Sequence, residues 1–408
     1  MGYLLRLAWR NALRNRRRTM FTIVSLVLGI GLYVLGQSFV DGIERTLVST
    51  EIDKESAHLR VMTKAWFEDE DFHPLDKPFP EAAAVATLLR ETYPGATVLL
   101  RTTFAARIGD HARALPCRGM VVDPAEYKKM FQVGDFAEPE AGPTPYVWVG
   151  ADLAKAFGFK PGDELVLDAK TRRGSRNAED PVRIAGIVSS GHPIVDNFTV
   201  ILPASFGERF IDIDSSFATE VMARFPDPDT ADQADALVTE RFPTLTAETW
   251  REKTQYLIDL NDIRRKNFNM VVFIILLIGA SSVANTCLMS GFERTTEVGT
   301  LLALGYPRRS VRLLFIAESV LIGFAGAVAG TLVGGAISAW FTSHGLAFPE
   351  VQAQEGAMPM PPVLYFDLTA HVLVQGVLIG LFVAVIASLY PAFRASKLDP
   401  IVALREGG

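Results

Sequence analysis

The chain has 408 residues, 49% hydrophobic and 21% charged, with a formal net charge of -6 and a mean hydropathy of +0.22. Apolar content this high excludes a disordered chain, and two cysteines exclude a disulfide-built scaffold. The acidic balance argues against a general nucleic-acid binder.

Charge is segregated along the chain. Residues 1–18 are rich in arginine, with Arg6, Arg10 and Arg14 on an i, i+4 stripe and Tyr3, Leu4, Leu7 and Ala8 on another face. That pattern predicts a cytoplasmic interfacial amphipathic helix along the lipid membrane. Thr19 to Val40 then runs 22 residues without a charge. A helix needs about 20 apolar residues to cross a bilayer core, so 19–40 is read as the first transmembrane helix. It is too long for the apolar region of a signal peptide.

Residues 41–266 hold most of the charge, 27 Lys and Arg against 38 Asp and Glu. The pattern is that of an α+β domain. Strands are expected at His58–Met62, Ala96–Arg107, Ala112–Val122, Glu164–Asp168, Val182–Val188, Phe198–Leu202 and Thr219–Phe225. Helices are expected at Glu81–Thr92, Gly150–Gly158 and Ala231–Arg241. Helical spacing continues outward from the first span through Ile43, Leu47, Val48 and Ile52. From Ala247 it leads through Trp250, Leu257, Leu260 and Ile263 into the next span. Two helical stalks are therefore expected to carry the domain. The acidic run Glu68-Asp69-Glu70-Asp71 lacks the glycine and spacing of a calcium loop and is read as a solvated loop. Cys117 is read as a packed apolar residue and Cys287 lies in a span, so no bridge is expected.

Three more apolar segments follow, giving transmembrane helices at 267–292, 313–341 and 368–393. Gly323, Gly326, Gly330 and Gly334 form a small-residue face in the third, and Gly376 and Gly380 do so in the fourth. Asn285 and Glu318 are expected to face protein, although Glu318 is close enough to the interface to snorkel instead. Arg294, Arg308, Arg309 and Arg312 lie between the second and third spans, Arg394, Lys397 and Arg405 after the fourth. Leu313 to Phe393 contains no Lys or Arg. The termini and the 293–312 segment are therefore expected inside, and 41–266 and the loop 342–367 outside.

The 293–312 segment reads Glu293-Arg294-Thr295-Thr296-Glu297-Val298-Gly299-Thr300-Leu301-Leu302-Ala303-Leu304-Gly305, followed by Tyr306 and Pro307. As one short helix it would set Glu293 and Glu297 on one face, with an apolar side of Val298, Leu301, Leu302 and Leu304. Gly305 would stop it and Pro307 would open the next helix. No Walker-type loop, zinc motif or nucleophile elbow occurs in the sequence, so no catalytic or metal residue is assigned. A receptor signalling inward would need a docked effector, because only 15 residues follow Phe393. A membrane-anchored hydrolase lacks a recognisable constellation.

The segment E-R-x-x-E-V-G-x-L-x-A-L-G from Glu293 to Gly305, ahead of a Gly-rich span, resembles the FtsX-like permease family of ABC transporters, which includes the MacB and LolC/LolE permeases. The tail from Tyr390-Pro391-Ala392 through Ala395 and Pro400 to Leu404-Arg405 is similar to that family's. Gly150 to Leu167 resembles its periplasmic core domain, and the stretch Gly186 to Gly191 with Asp196 is similar to one in LolC/LolE. The resemblance covers the whole chain and implies a multi-pass protein of the bacterial inner membrane that is not itself an enzyme. A separate ABC ATPase dimer would carry the ATP and magnesium, with no cofactor on this chain. A second permease, equal or different, would complete the complex, with a periplasmic chaperone or adaptor outside and no nucleic acid. The coupling role would fall to Glu293, Arg294, Glu297, Val298, Gly299, Leu301, Leu302, Leu304 and Gly305. The implied work is mechanotransmission for lipoprotein release, with MacB-like export of peptides, toxins or other amphiphiles, or a signalling subunit, as alternatives.

Overall fold

The structure, a computed structural model, describes residue 10 and residues 16–77, 79–110, 112–131, 133, 144–347 and 363–397. Of the expected amphipathic helix at 1–18, Arg10 is described as helical and exposed and residues 16–18 belong to the first long helix; Arg6 and Arg14 lie outside the described residues. So do most of the 342–367 loop and the tail beyond Lys397.

Helix α1 (Arg16–Glu51) ends in a π-helical turn, Ile52–Ser56, and leads into strand β1 (Leu59–Thr63). Helices α2 (Lys64–Phe67) and α3 (Ala82–Thr92) follow, then β2 (Thr97–Gly109), β3 (Ala114–Val122), α4 (Pro124–Met130), β4 (Tyr146–Gly150) and α5 (Ala151–Phe157). Next come β5 (Glu164–Lys170), β6 (Arg176–Val188), α6 (Pro193–Phe198), β7 (Thr199–Pro203), α7 (Ala204–Ile211), β8 (Glu220–Arg224), α8 (Thr230–Arg241) and β9 (Leu245–Thr249). The chain continues with α9 (Trp250–Glu293), α10 (Thr295–Ala303), α11 (Arg308–His344), the short strands β10 (Leu346–Ala347) and β11 (Val363–Leu364), and α12 (Ala370–Ala395).

Local chemistry sets many of these boundaries. Asp123 caps α4 by accepting from the amides of Ala125 and Glu126, with Pro124 at the first helical position. Gly158, at φ +77°, ends α5 in the left-handed region that glycine enters without penalty. The helix expected from Ala247 instead starts at Trp250. Leu245–Thr249 is claimed by pairing along the whole length of β1, which overrides its helical spacing.

Two compact units result. One is Thr46–Ile258. Its strands pair in the order β3-β7-β4-β6-β5-β2-β8-β1-β9, and β3 also pairs with β2. That extra pairing closes six strands into a barrel. The long β2 belongs to both halves: Thr97–Arg101 pairs with β8, and Ala106–Gly109 pairs with β5. The other half, β2-β8-β1-β9 with α3 and α8, has the split β-α-β-β-α-β order, and the barrel is inserted between β2 and β8. Leu59, Val61, Val98, Val221 and Ala223 pack under α3 and α8, while Phe104, Ile108, Val147, Leu165, Leu167 and Val200 fill the barrel.

The other unit holds α10 and the four long apolar helices, α1 up to Arg45, α9 from Asp259, α11 and α12. Helices this long and apolar cross a membrane by length and composition. Glycines govern their packing. A Cβ on Gly326 would stand 2.8 Å from the Cβ of Leu26, and one on Gly330 3.0 Å from the Cβ of Ile30. On Gly334 it would lie 2.5 Å from the carbonyl oxygen of Gly31. Gly323 faces Ala384, Gly376 faces Thr331 and Val34, and Gly380 faces Ala327 and Ile30. Without water to drive association, such close backbone approach supplies the contact. Arg265 bonds Glu44 at 2.6 Å and Asp41 at 3.2 Å, and Asn261 bonds Glu44 at 2.8 Å, tying α1 to α9.

Gly334→Val should therefore force α1 and α11 apart, a mismatch worth about 1–3 kcal/mol or more. Gly279→Ala, whose Cβ would meet nothing closer than 3.6 Å, should be neutral. Thermal denaturation of the detergent-solubilised chain should show a lowered midpoint for the first variant only.

Candidate functional site

Between the second and third spans the sequence predicts one helix with both carboxylates on one face. The structure divides it. Glu293 is the last residue of α9, Arg294 leaves helical geometry at φ -122° and ψ 20°, and α10 begins at Thr295. Glu293 and Glu297 thus sit on different helices. Glu293 makes a bidentate pair with Arg18 of α1, at 2.9 and 3.2 Å. Glu297 accepts from Arg294 Nε at 3.0 Å. Arg294 is 6% exposed, and its Nη1 bonds Glu318 of α11 at 3.0 Å. Glu318 also accepts from Ser290 at 3.3 Å, so it faces protein and does not snorkel.

The apolar side of α10 is divided as well. Val298 is buried among Cys287, Val311, Phe315, Ala392 and Ala395, with Leu302 packed against them, and Gly299 is buried too. Leu301 is half-buried. Leu304 is 74% exposed and Tyr306 47% exposed. Gly305, at φ +87°, stops the helix, and α11 opens behind Pro307. The exposed face is therefore Thr296, Glu297, Thr300, Ala303 and Leu304. Asn285, expected to face protein, is exposed on α9 in this chain, in line with Ile274, Ile278, Ser281 and Met289.

In the other unit the structure assembles a feature that sequence reasoning missed. Six charged side chains run in alternating sign across one face of the sheet: Glu248, Arg60, Glu220, Arg101, Glu55 and Arg118. Arg60 bonds Glu248 and Glu220, each at 2.9 Å, and Arg101 bonds Glu220 at 2.8 and 3.0 Å. Arg118 holds Glu55 at 2.7 and 2.9 Å, and Arg101 lies 3.2 Å from the same carboxylate. Glu220 is completely buried and Arg101 is 2% exposed. Glu70 bonds Arg60 at 2.6 Å and Asp69 pairs with Lys77, so the acidic run is not simply solvated.

Glu55 sits in the π turn that ends α1, so the row grips the last turn of that helix. Asp53 in the same turn pairs with Arg224, and Glu51 bonds His192 Nε2 at 2.9 Å. The loop presenting His192 is the Ser190-Gly191 stretch. Asp196 accepts from the Ser190 and Gly191 amides and from the Ser190 hydroxyl at 2.8 to 2.9 Å, and Ser190 accepts from the His192 amide. The turn closes with an Ala57 N–H to Ile52 O bond of 3.1 Å, and buried Ala57 adopts φ 55°, ψ -152°. That region is essentially glycine's and costs an alanine on the order of 1–3 kcal/mol. Just after the neighbouring strand β9, the Trp250 amide bonds the carbonyl of His58 at 2.9 Å where α9 starts. The signal for the row was a lone charge within apolar strand sequence: Arg60 between Leu59 and Val61, Arg101 after Leu99-Leu100, Glu220 before Val221.

Electrostatics match the geometry. Burial alone would raise the Glu220 carboxyl, but Arg101 and Arg60 outweigh it and bring it down to about 2. Burial opposes the charge on Glu55 too, and Arg118 and Arg101 hold it well below the usual carboxylate range. Burial pushes His58 and His73 below the ordinary 6.5, and pushes the Cys117 thiol up to about 12, as befits a packed, unreactive residue. No group of three or more His, Cys, Asp or Glu is set to hold a metal among the described residues.

Four apolar spans around a short inter-span helix, with an α+β domain between the first two spans, define a multi-pass membrane protein with a large domain outside its spans. A family model described as MacB-like periplasmic core domain matches residues 19–241, and one described as FtsX-like permease C-terminal matches residues 269–400. The chain belongs to the FtsX-like permeases of ABC transporters that carry a MacB-like periplasmic core domain. Neither matched segment is an ATPase, so the family implies a partner ATPase. The Haemophilus influenzae lipoprotein-releasing system transmembrane protein LolE is 21% identical over 93% of this chain and 92% of its own length. LolC of Xylella fastidiosa is 22% identical over 64% of each chain. The macrolide export ATP-binding/permease protein MacB of Syntrophobacter fumaroxidans is 31% identical over 38% of this chain, which spans 19% of that protein.

Glu220→Ala should leave Arg60 and Arg101 buried without their shared partner and cost about 3–5 kcal/mol. Fluorescence of the buried Trp66 and Trp148 in the intact chain reports it as a lower denaturant midpoint. Acid should act in two stages. The depressed histidines keep their stabilisation above pH 6.5 and lose it below, as the unfolded chain takes up protons first. Glu220 contributes fully above 4.5 and loses that contribution as pH falls toward about 2, and Glu55, also held below the usual carboxylate range, loses its own on acidification below 4.5. Glu248, raised by burial, works the other way. Stability should fall from pH 6.5 downward and most steeply below 4.5.

Proposed function

We propose that this chain is the inner-membrane permease of a lipoprotein-releasing ABC transporter. A separate ATPase dimer closes on ATP beneath it, and the stroke reaches the outer domain through α1 and α9. The observation that carries the reading is the similarity to LolE along nearly the full length of both chains. The charged row supports it mechanically, because it makes the last turn of α1 part of the sheet. The ATPase docks on the exposed face of α10, with Leu304 as the apolar anchor and Glu297 and Thr300 beside it. Glu293, already paired with Arg18, serves to hold α9 to α1. A second permease covers the exposed stripe of α9, because an unpaired Asn285 amide is costly in lipid and cheap against another helix. A periplasmic chaperone or adaptor then receives the released lipoprotein.

The test is reconstitution of the chain with its ATPase in vesicles carrying an acylated lipoprotein. ATP should release the lipoprotein to a soluble acceptor. Glu297→Lys/Leu304→Asp should weaken ATPase retention at least tenfold and abolish release, since a buried anchor is worth about 2 kcal/mol. Glu293→Lys should be mild, as exposed pairs are worth about 0–1 kcal/mol. ATP-driven export of an amphiphile with no lipoprotein released would replace this reading with MacB-like efflux. Retention of the ATPase by the double variant would remove α10 from the docking surface.

A further inference from the structure

The start of α11 and the end of α12 enclose a groove of about 550 Å³ that the permease reading does not use. Its floor is apolar: Leu313 and Ile316 from α11, Leu389, Tyr390 and Phe393 from α12. Leu313, Leu389, Tyr390 and Phe393 are each about half exposed or more, so none of the described residues covers it. Its rim is cationic. Arg309 and Arg312 line it, the Arg312 guanidinium carbon lies 5.7 Å from the centre of the Phe393 ring, and Lys397 Nζ lies 4.4 Å from the same centre. Arg394 sits over Phe292 close by, at 5.6 Å.

Two other cations at this end of the spans are already held by carboxylates. Arg18 is taken by Glu293, and Arg294 by Glu297 and Glu318. Arg309, Arg312, Arg394 and Lys397 pair with no carboxylate among the described residues. The buried Nε of Arg312 makes no hydrogen bond there. Ring faces hold the side chains in place without neutralising them. Lys and Arg placement puts this end on the cytoplasmic side.

We propose that this groove binds an anionic phospholipid of the inner leaflet. Its phosphate is held by Arg309 and Arg312, with Lys397 beside the Phe393 ring. An acyl chain lies along Leu313, Ile316 and Leu389. The floor decides between a lipid and a carboxylate-bearing soluble subunit. From Leu313 onward α11 carries no Lys or Arg, and this stretch is apolar enough to lie in hydrocarbon. A lipid fills rim and floor together, whereas a soluble partner reaches only the rim. Basic pockets at this depth recognise lipid headgroups through the same combination.

The test uses the full chain in uncharged detergent, titrated with dioleoyl-phosphatidylglycerol or dioleoyl-phosphatidylcholine and read by native mass spectrometry. The wild type should retain phosphatidylglycerol about tenfold better. Arg309→Gln/Arg312→Gln should lose that preference at an unchanged thermal midpoint, since neither cation is in an ion pair with a described residue. Arg309→Gln alone, at an exposed position, should lose part of it and serves if the double variant is unstable. Arg16→Gln/Arg17→Gln, which removes two cations elsewhere, should keep the preference. Equal retention of both lipids by the wild type would overturn the proposal, as would an unchanged preference in the groove variants. Equal loss in the control would show bulk charge alone. Displacement by millimolar inorganic phosphate would mark a free-anion site. Loss of ATPase retention with lipid binding intact would assign the rim to the partner subunit.

Discussion

A carboxylate buried beside a guanidinium has no tolerance for misplacement. Glu220 has no contact with water and lies between Arg60 and Arg101, and the same pattern repeats through Glu55 to Arg118. Removing charges from water costs several kcal/mol per ion, and only close, multiple hydrogen bonds return it. Every strand in the row must therefore keep its register, because a slip of one residue would turn each charge into the opposite face. The same requirement fixes the end of α1. Glu55 completes the row only if the helix closes in a π turn and Ala57 accepts a backbone conformation it would otherwise avoid.

The membrane unit solves the opposite problem. Its helices have few charges to place, and glycine faces let backbones meet where water cannot drive association. Among the described residues its ion pairs lie toward the two ends, including the Arg265, Glu44 and Asp41 cluster and the Arg18–Glu293 and Arg294–Glu318 pairs. Those inner pairs decide which residues of the inter-span segment remain for a partner. Glu293, Arg294 and Val298 are consumed in holding α9, α10 and α11, while Glu297, Thr300 and Leu304 are left on the surface.

Much of this was legible beforehand because the signals are local. Uncharged runs mark spans, Gly158 and Gly305 mark helix ends, and strands such as Glu164–Lys170 alternate cleanly. What escaped was non-local. The strand Leu245–Thr249 reads as helix until β1 is known to lie beside it, and Tyr146–Gly150 gains its identity from parallel pairing with β6. The i, i+4 spacing of Glu293 and Glu297 suggested one face, but helix periodicity does not register a break at a residue such as Arg294 whose side chain is drawn into a buried pair. The charged row was hidden for the same reason: each member is a single odd residue in its own strand, and only the sheet sets them side by side.

The inserted barrel has a consequence for how the chain is made. β1 emerges early, yet its partners β8 and β9 follow after the whole barrel, and Arg60 waits 160 positions for Glu220. Contacts so distant in sequence form slowly, and an unpaired central strand is exposed to wrong partners meanwhile. The barrel strands are close together in sequence, so this lobe can assemble while β1 is still open. An export machinery delivering the domain from its amino-terminal side must then protect β1 until the last fifty residues before the second span arrive, and the row of charges serves as the final check that the right strands have met.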